Sequence, residues 1–165
     1  MADRSVHYEA AFEAFLRDRA IPYVAVDEAK RALFANSQLK SFDFVVYKKN
    51  GPNLLVDIKG RQCRRRTTPG GFQTWTAEQD VIDLQQWEQV FGDGFKAVLI
   101  FMYWIDPPLH AEKGMFEFHD RWYLLMGVDL AEYRSNMRRR STKWETVALG
   151  AATFKQLARP IDSWL

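Results

Sequence analysis

The run from Ala97 to Ile105 is the longest unbroken apolar stretch in the chain, and it limits what the chain can fold into more than any other feature. At about half the roughly 20 residues of a membrane span, it is too short to cross a bilayer as a helix. It does not alternate apolar with polar, as a half-buried strand would. Phe95 to Trp104 therefore reads as a strand buried on both faces. Such a strand needs cover above and below, which points to a layered α/β domain with a central sheet flanked by helices.

The remaining segments supply those layers. Tyr8, Phe12, Phe15 and Leu16 follow the helical period, so a first helix, capped by Ser5, is expected to run to about Arg19. Ile21 to Val26 reads as a short strand, and residues 27–40 show no clear period and read as loop or short helix. Phe42 to Tyr47 and Leu54 to Lys59 are strand-like runs on either side of Lys48-Lys49-Asn50-Gly51-Pro52-Asn53, the strongest turn signal present, and so form a hairpin. Residues 67–71 read as a loop. A second helix is expected from Thr76, with Gln79 as its capping-box partner, to Gly92. Residues 106–119 read as irregular, with a strand near Trp122 to Val128 after them. Asp129 and Glu132 cap a short helix ending at the Arg138 cluster. Trp144 to Leu149 and Ala151 to Ala158 read as a last strand and helix. The whole, 1–165, reads as one domain with a mixed sheet.

Composition supports this and narrows the class. The chain has 165 residues, 47% hydrophobic, with 23 Lys and Arg against 21 Asp and Glu. That excludes disorder and a collagen-like chain, and a chain of this length buries enough surface to need no staples. Cys63 is the single cysteine, so an internal disulfide is impossible and a reducing compartment is the simple reading. No apolar leader follows Met1, so a soluble cytoplasmic protein without membrane contact is expected. The net charge of +2 says little, but its distribution says more. Lys59, Arg61, Arg64, Arg65 and Arg66 form one basic cluster, and Arg134, Arg138, Arg139, Arg140 and Lys143 a second. Two such clusters in a near-neutral chain point to a polyanion-binding face.

The residues that carry chemistry lie at the hairpin. Asp57 and Lys59 are two apart on one strand and share a face, about 7 Å apart. Asp43 opens the preceding antiparallel strand, so it lands beside the end of the next one. A register slip would turn it to the wrong face. Charges within apolar strands are costly unless paired, so the trio is either a salt-bridged sheet margin or a working site. Two carboxylates with a third oxygen ligand suit a hard cation such as Mg²⁺ or Mn²⁺. Glu9 and Glu13 lie on one face of the first helix, and either could supply that third acid. By itself Asp-x-Lys is weak, and Glu28-Ala29-Lys30 is a decoy with no strand around it. His110, Glu112, Glu117 and His119 fit no standard zinc spacing. Trp75, after a glycine-rich loop, is a candidate to stack on a base.

A helix with an acid, a strand, a strand opening on Asp, a turn, and a strand with Asp-x-Lys: this order resembles the PD-(D/E)XK nuclease superfamily over residues 5–105. More narrowly, His7-Tyr8-Glu9-Ala10-Ala11-Phe12-Glu13 looks like the opening signature of the HYExAFE family, a bacterial group that brings no established activity. The broader resemblance implies a restriction-endonuclease-like αβββαβ core and a Mg²⁺- or Mn²⁺-dependent endonuclease. Asp43, Asp57 and Glu9 would be its metal ligands and Lys59 its catalytic lysine. Phe42 stands where the motif has proline, and Asp57 is the accepted alternative to Glu. Arg61, Arg64, Arg65 and Arg66, with Trp75, would then hold nucleic acid, DNA ahead of RNA. The alternative is an inactive relative that only binds nucleic acid or a protein partner. A homodimer is left open.

Overall fold

The computed structural model describes residues 6–26, 32–34, 37–64, 71–106 and 114–165, with the backbone alone at 6, 32–34, 37 and 38. Helix α1 (Val6–Asp18) leads into β1 (Tyr23–Ala25), and β2 (Ala32–Phe34) and β3 (Ser37–Leu39) form a hairpin. Next come β4 (Phe44–Val46), β5 (Asn53–Arg64), β6 (Thr76–Ala77), α2 (Glu78–Phe91) and β7 (Phe95–Asp106). The chain closes with β8 (Met115–Phe118), β9 (Arg121–Asp129), α3 (Leu130–Asn136), β10 (Arg138–Ser141), β11 (Thr146–Ala148), α4 (Ala151–Leu157), β12 (Arg159–Pro160) and a 3₁₀ turn at Ile161–Ser163.

The main sheet runs β1-β4-β5-β7-β9-β12, with β8 paired to β9. β5 and β7 are parallel over twelve residue pairs, and the other pairings are antiparallel. The sheet is therefore mixed. Ala97 to Tyr103 are fully buried, as expected of a strand covered on both faces. On one face α1 sets Phe12, Phe15 and Leu16 against Phe44, Val56 and Ile100. On the other, Val81 and Leu84 of α2 and Tyr133 of α3 cover Leu55, Leu99 and Phe101. Each large side chain so buried contributes roughly 1.5–3 kcal/mol.

Five local expectations are corrected. Part of 27–40 is not loop or helix but the β2–β3 hairpin, although 27–31, 35 and 36 lie outside the described residues. Residues 115–118 are a strand rather than irregular chain. They join β9 through His119 and Asp120, both at positive φ (49° and 59°), the signature of a type I′ turn. Thr76 does not cap α2: it lies in β6, and Ala77 holds the N-cap position without a side-chain hydrogen bond. Arg138 to Arg140 do not end a helix but form β10, which with β11 and β6 makes a second sheet of three strands. The last strand is shorter than Trp144 to Leu149, because Trp144 and Glu145 belong to the turn. The cap at α3 is as expected, with the Asp129 carboxylate accepting from the Glu132 N–H at 3.0 Å.

Candidate active site

The site is built at an interruption in the sheet. β4 has three residues and β5 has twelve, so β5 runs on past its partner. The β4–β5 register pairs Phe44 with Val56, and Asp43, just before β4, lines the same pocket as Asp57 on one face of the sheet. The Asp43 N–H donates to the Val56 C=O at 3.0 Å, and the Asp43 Oδ2 accepts from the Ile58 N–H at 2.5 Å. The carboxylate thus takes the place of the next backbone acceptor where β4 has ended.

On that face Asp57 and Lys59 project toward α2. Lys59 Nζ lies 3.0 Å from Asp57 Oδ2 and 2.7 Å from Asp80 Oδ2. Asp80 also holds Lys40 Nζ at 2.7 Å through its other oxygen. Glu9 arrives from the opposite layer. Tyr8 beside it lies flat on Gly60 of β5, where a Cβ would fall 2.2–2.5 Å from the Tyr8 ring atoms. Glycine there lets α1 approach closely and brings Glu9 over the end of β4. Glu9, Asp43, Asp57, Lys59 and Asp80 line one pocket of about 130 Å³.

The electrostatics follow from burial and crowding. Asp43 is pushed up to about 9, first by desolvation, then by the Asp57 carboxylate and, further off, by Glu9; the Ile58 N–H and Lys59 oppose the rise. Burial would pull Lys59 down, but Asp57 and Asp80 outweigh it and hold the ammonium above its ordinary range. Burial would likewise raise Asp80, yet Lys59 and Lys40 keep it low. The site is therefore a chain in which Lys59 Nζ bridges Asp57 and Asp80, beside an Asp43 carboxyl whose protonated form is favoured by burial.

The donor set fits a hard divalent cation. Asp43, Asp57 and Glu9 offer carboxylate oxygens only, in a pocket where a cation would relieve their mutual repulsion. Among the described residues no three His, Cys, Asp or Glu side chains are already drawn together as a metal cluster. Asp43 is turned onto the Ile58 N–H and Asp57 onto Lys59, each occupied with a local partner.

A wider groove of about 670 Å³ adjoins the pocket, with Glu9 and Lys59 lining both. Arg61, Arg64 and Trp75 line the groove. Arg61 and Arg64 of the first basic cluster stand on β5, and Arg65 and Arg66 lie outside the described residues. Arg61 is committed to the fold. Its guanidinium donates to the Gly60 C=O at 2.8 Å and the Trp75 C=O at 2.5 Å, and stacks 3.9 Å from the Trp75 ring centroid. Trp75 is thereby an anchor for Arg61. Glu13 points elsewhere, accepting from Arg17 at 2.8 Å and the Tyr23 hydroxyl at 2.7 Å. His7, also in the groove, has its Nδ1 2.9 Å from the Tyr123 hydroxyl.

Asp80 and Lys40 were not foreseen as site residues. No spacing motif links either to Asp57 and Lys59; the packing of α2 on the β5 face brings Asp80 there, and Lys40, which follows β3, joins through its ion pair with Asp80. The one signal was the acid in the first turn of the second helix, which reads equally as dipole complementation.

No family model matches the chain, and no curated protein does. Among solved structures the chain is similar to Archaeoglobus fulgidus Hjc, a Holliday junction resolvase from an archaeal hyperthermophile. The TM-score is 0.59 at 11% identity, covering 96% of this chain and 98% of that one. At that identity the likeness shows the fold: a single α/β domain with a mixed central sheet, of the restriction-endonuclease-like kind.

Proposed function

We propose that this chain is a metal-dependent endonuclease that hydrolyses phosphodiester bonds in DNA, acting on particular DNA structures rather than sequences. The observation that carries the reading is the meeting of Glu9, Asp43, Asp57 and Lys59 in one pocket, drawn from helix α1, the start of β4 and the inner strand β5 of an Hjc-like sheet. Glu9, Asp43 and Asp57 would hold Mg²⁺ or Mn²⁺. When bound, that cation supplies positive charge for the developing phosphorane and acidifies water. Lys59, kept charged by Asp57 and Asp80, acts as a hydrogen-bond donor that orients the attacking water and neutralises phosphate charge. To serve as a ligand Asp43 would have to be ionised, and a cation held beside it would favour that form. Arg64, which lines the adjoining groove, would grip backbone phosphates and position the strand without reading bases; Arg65 and Arg66 are proposed for the same role from the sequence.

Incubation with Mg²⁺ or Mn²⁺ and single-stranded, duplex and branched DNA, with RNA alongside, tests the reading. Cleavage of a branched or duplex DNA that Asp57→Ala abolishes is the expected result. No cleavage of any of them overturns it.

One observation favours a second reading, an inactive nuclease-fold module that binds nucleic acid or a protein partner. Lys59 already spends two of its three N–H donors on carboxylates, as a purely structural ion chain would. Calorimetric titration with Mn²⁺ separates the two: a site that takes no cation supports the module.

A further inference from the structure

The second basic cluster is an exposed hairpin, and its placement is informative. β10 and β11 pair antiparallel, and β11 in turn pairs with β6, whose Thr76 and Ala77 line the groove beside the candidate active site. The hairpin therefore extends one wall of that groove outward. Arg138, Arg139, Arg140 and Lys143 are all exposed. Arg139 is tied to Glu78 at 2.7 Å. Arg140 sits where the β10–β11 register shifts, a bulge between Arg139 and Ser141, and such a bulge re-aims a side chain. Its guanidinium lies 5.2 Å from the centroid of Trp75, on the groove side.

At the turn stands Trp144, 69% exposed. Lys143 Nζ is 5.2 Å from its ring centroid, and the Trp144 N–H donates to Ser141 Oγ at 3.2 Å. Glu145, the acid of the turn, has positive φ (47°), and its C=O accepts from the Glu78 N–H; the turn is thus fixed to the start of α2. An indole held out in water by an anchored turn, with the Lys143 ammonium beside its ring and exposed arginines on the adjoining strand, matches what an unstacked base on a phosphate backbone needs.

We infer that the β10–β11 hairpin is a second DNA-binding element, in which Arg138, Arg140 and Lys143 hold backbone phosphates while Trp144 stacks on an unpaired base. The inference rests on the nuclease reading for its choice of DNA, and it narrows the substrate to DNA in which paired and unpaired nucleotides meet. Arg61 is locked against Trp75, and the hairpin adds phosphate contacts that Arg61 does not supply.

Fluorescence anisotropy in EDTA with two labelled probes tests this: a fully paired duplex, and the same duplex carrying an unpaired arm. Trp144→Ala is expected to weaken binding to the armed probe by about fivefold or more and to leave the duplex unchanged, while Trp144→Tyr retains affinity. Arg138→Gln with Lys143→Gln should flatten the salt dependence on both probes, by about 0.7–0.9 in log–log slope for each phosphate no longer held. Equal loss on both probes, no loss on either, or a wild-type protein that binds neither overturns the inference. The nuclease reading is scored separately by Mn²⁺-dependent cleavage and its loss in Asp57→Ala. A Trp144-dependent binder that cuts nothing keeps the hairpin and loses the enzyme; a nuclease indifferent to Trp144 does the reverse.

Discussion

Lys59 and Asp80 form a short ion pair, 2.7 Å between Nζ and Oδ2, with side chains only 13% and 10% exposed. It joins strand to helix across the candidate active site. Breaking a buried pair by removing one partner leaves an uncompensated charge. Asp80→Ala should therefore destabilise the chain by about 3 kcal/mol in urea unfolding, and Asp80→Asn by less. Lys59→Ala should reduce cleavage by about 100-fold or more while Mn²⁺ still binds, because the lysine is not a ligand. Lost Mn²⁺ affinity in that variant would make Lys59 part of the cation site instead.

Glu9 and Glu13 offer a cleaner contrast. They share a helix face, but Glu9 lines the pocket with Asp43 and Asp57, whereas Glu13 is engaged with Arg17 and Tyr23. Glu9→Gln should weaken Mn²⁺ binding about tenfold or more, the scale on which lost support for a metal site is felt. Glu13→Gln should leave it as in wild type. Isothermal titration reads both, and equal effects would mean that neither acid reaches the cation.

Part of this arrangement was legible in the sequence. The Asp43–Asp57 pairing needed only a strong turn and the antiparallel rule, since a hairpin places the start of one strand beside the end of the next. The central strand declared itself through its apolar run. What escaped notice depended on contacts distant in sequence. β5 continues to Arg64 because β7 runs parallel to it over its whole length, not because Gly60 to Arg64 look strand-like. β8 was hidden because its turn uses His119 and Asp120 at positive φ, where Asn-Gly is the recognisable signal. Thr76, an ordinary cap by spacing, is drawn into β6 by pairing with Val147. Asp80 joined the site only through helix-on-sheet packing.

The pH dependence follows from Asp43. Its carboxyl is held at about 9 in the folded chain against an ordinary 3.8, so the folded state binds a proton that the unfolded state has released. The Asp43 contribution to metal-free stability is then full below about pH 4 and declines as pH rises through the interval to about 9, whereas that of Asp80, held low by Lys59 and Lys40, is lost as pH falls. Asp43→Asn removes the titration. At pH 8 in EDTA it should stabilise the chain by about 1–3 kcal/mol, discounted for the coupling to Asp57 and Glu9, and flatten the profile. Mn²⁺ at about 100 times its dissociation constant should restore roughly 2.7 kcal/mol to wild type at that pH and nothing to Asp43→Asn. Chemical denaturation across pH 4–9 measures all of this. A wild-type profile parallel to that of Asp43→Asn would show that Asp43 is ionised in the fold.

Gly60 links the fold to the site through a single missing atom. A Cβ at this position would lie 2.2–2.5 Å from the Tyr8 ring, and Tyr8 is 7% exposed, packed among Phe12, Phe44 and Tyr123. It cannot swing out without opening that core. Gly60→Ala should therefore push α1 away from β5, at a cost of about 1–3 kcal/mol for overpacking. Glu9, the next residue on α1, moves with it, while Asp43 and Asp57 stay on their own strands. Mn²⁺ affinity should fall toward that of Glu9→Gln, although no ligand has been altered. Tyr8→Leu, which clears the ring, should recover part of the stability when combined with Gly60→Ala, giving a coupling well outside additivity. Thermal melting and Mn²⁺ titration on the single and double variants read the two effects independently. If Gly60→Ala melts lower yet binds Mn²⁺ as wild type does, the close approach of α1 serves packing alone and Glu9 reaches the pocket without it.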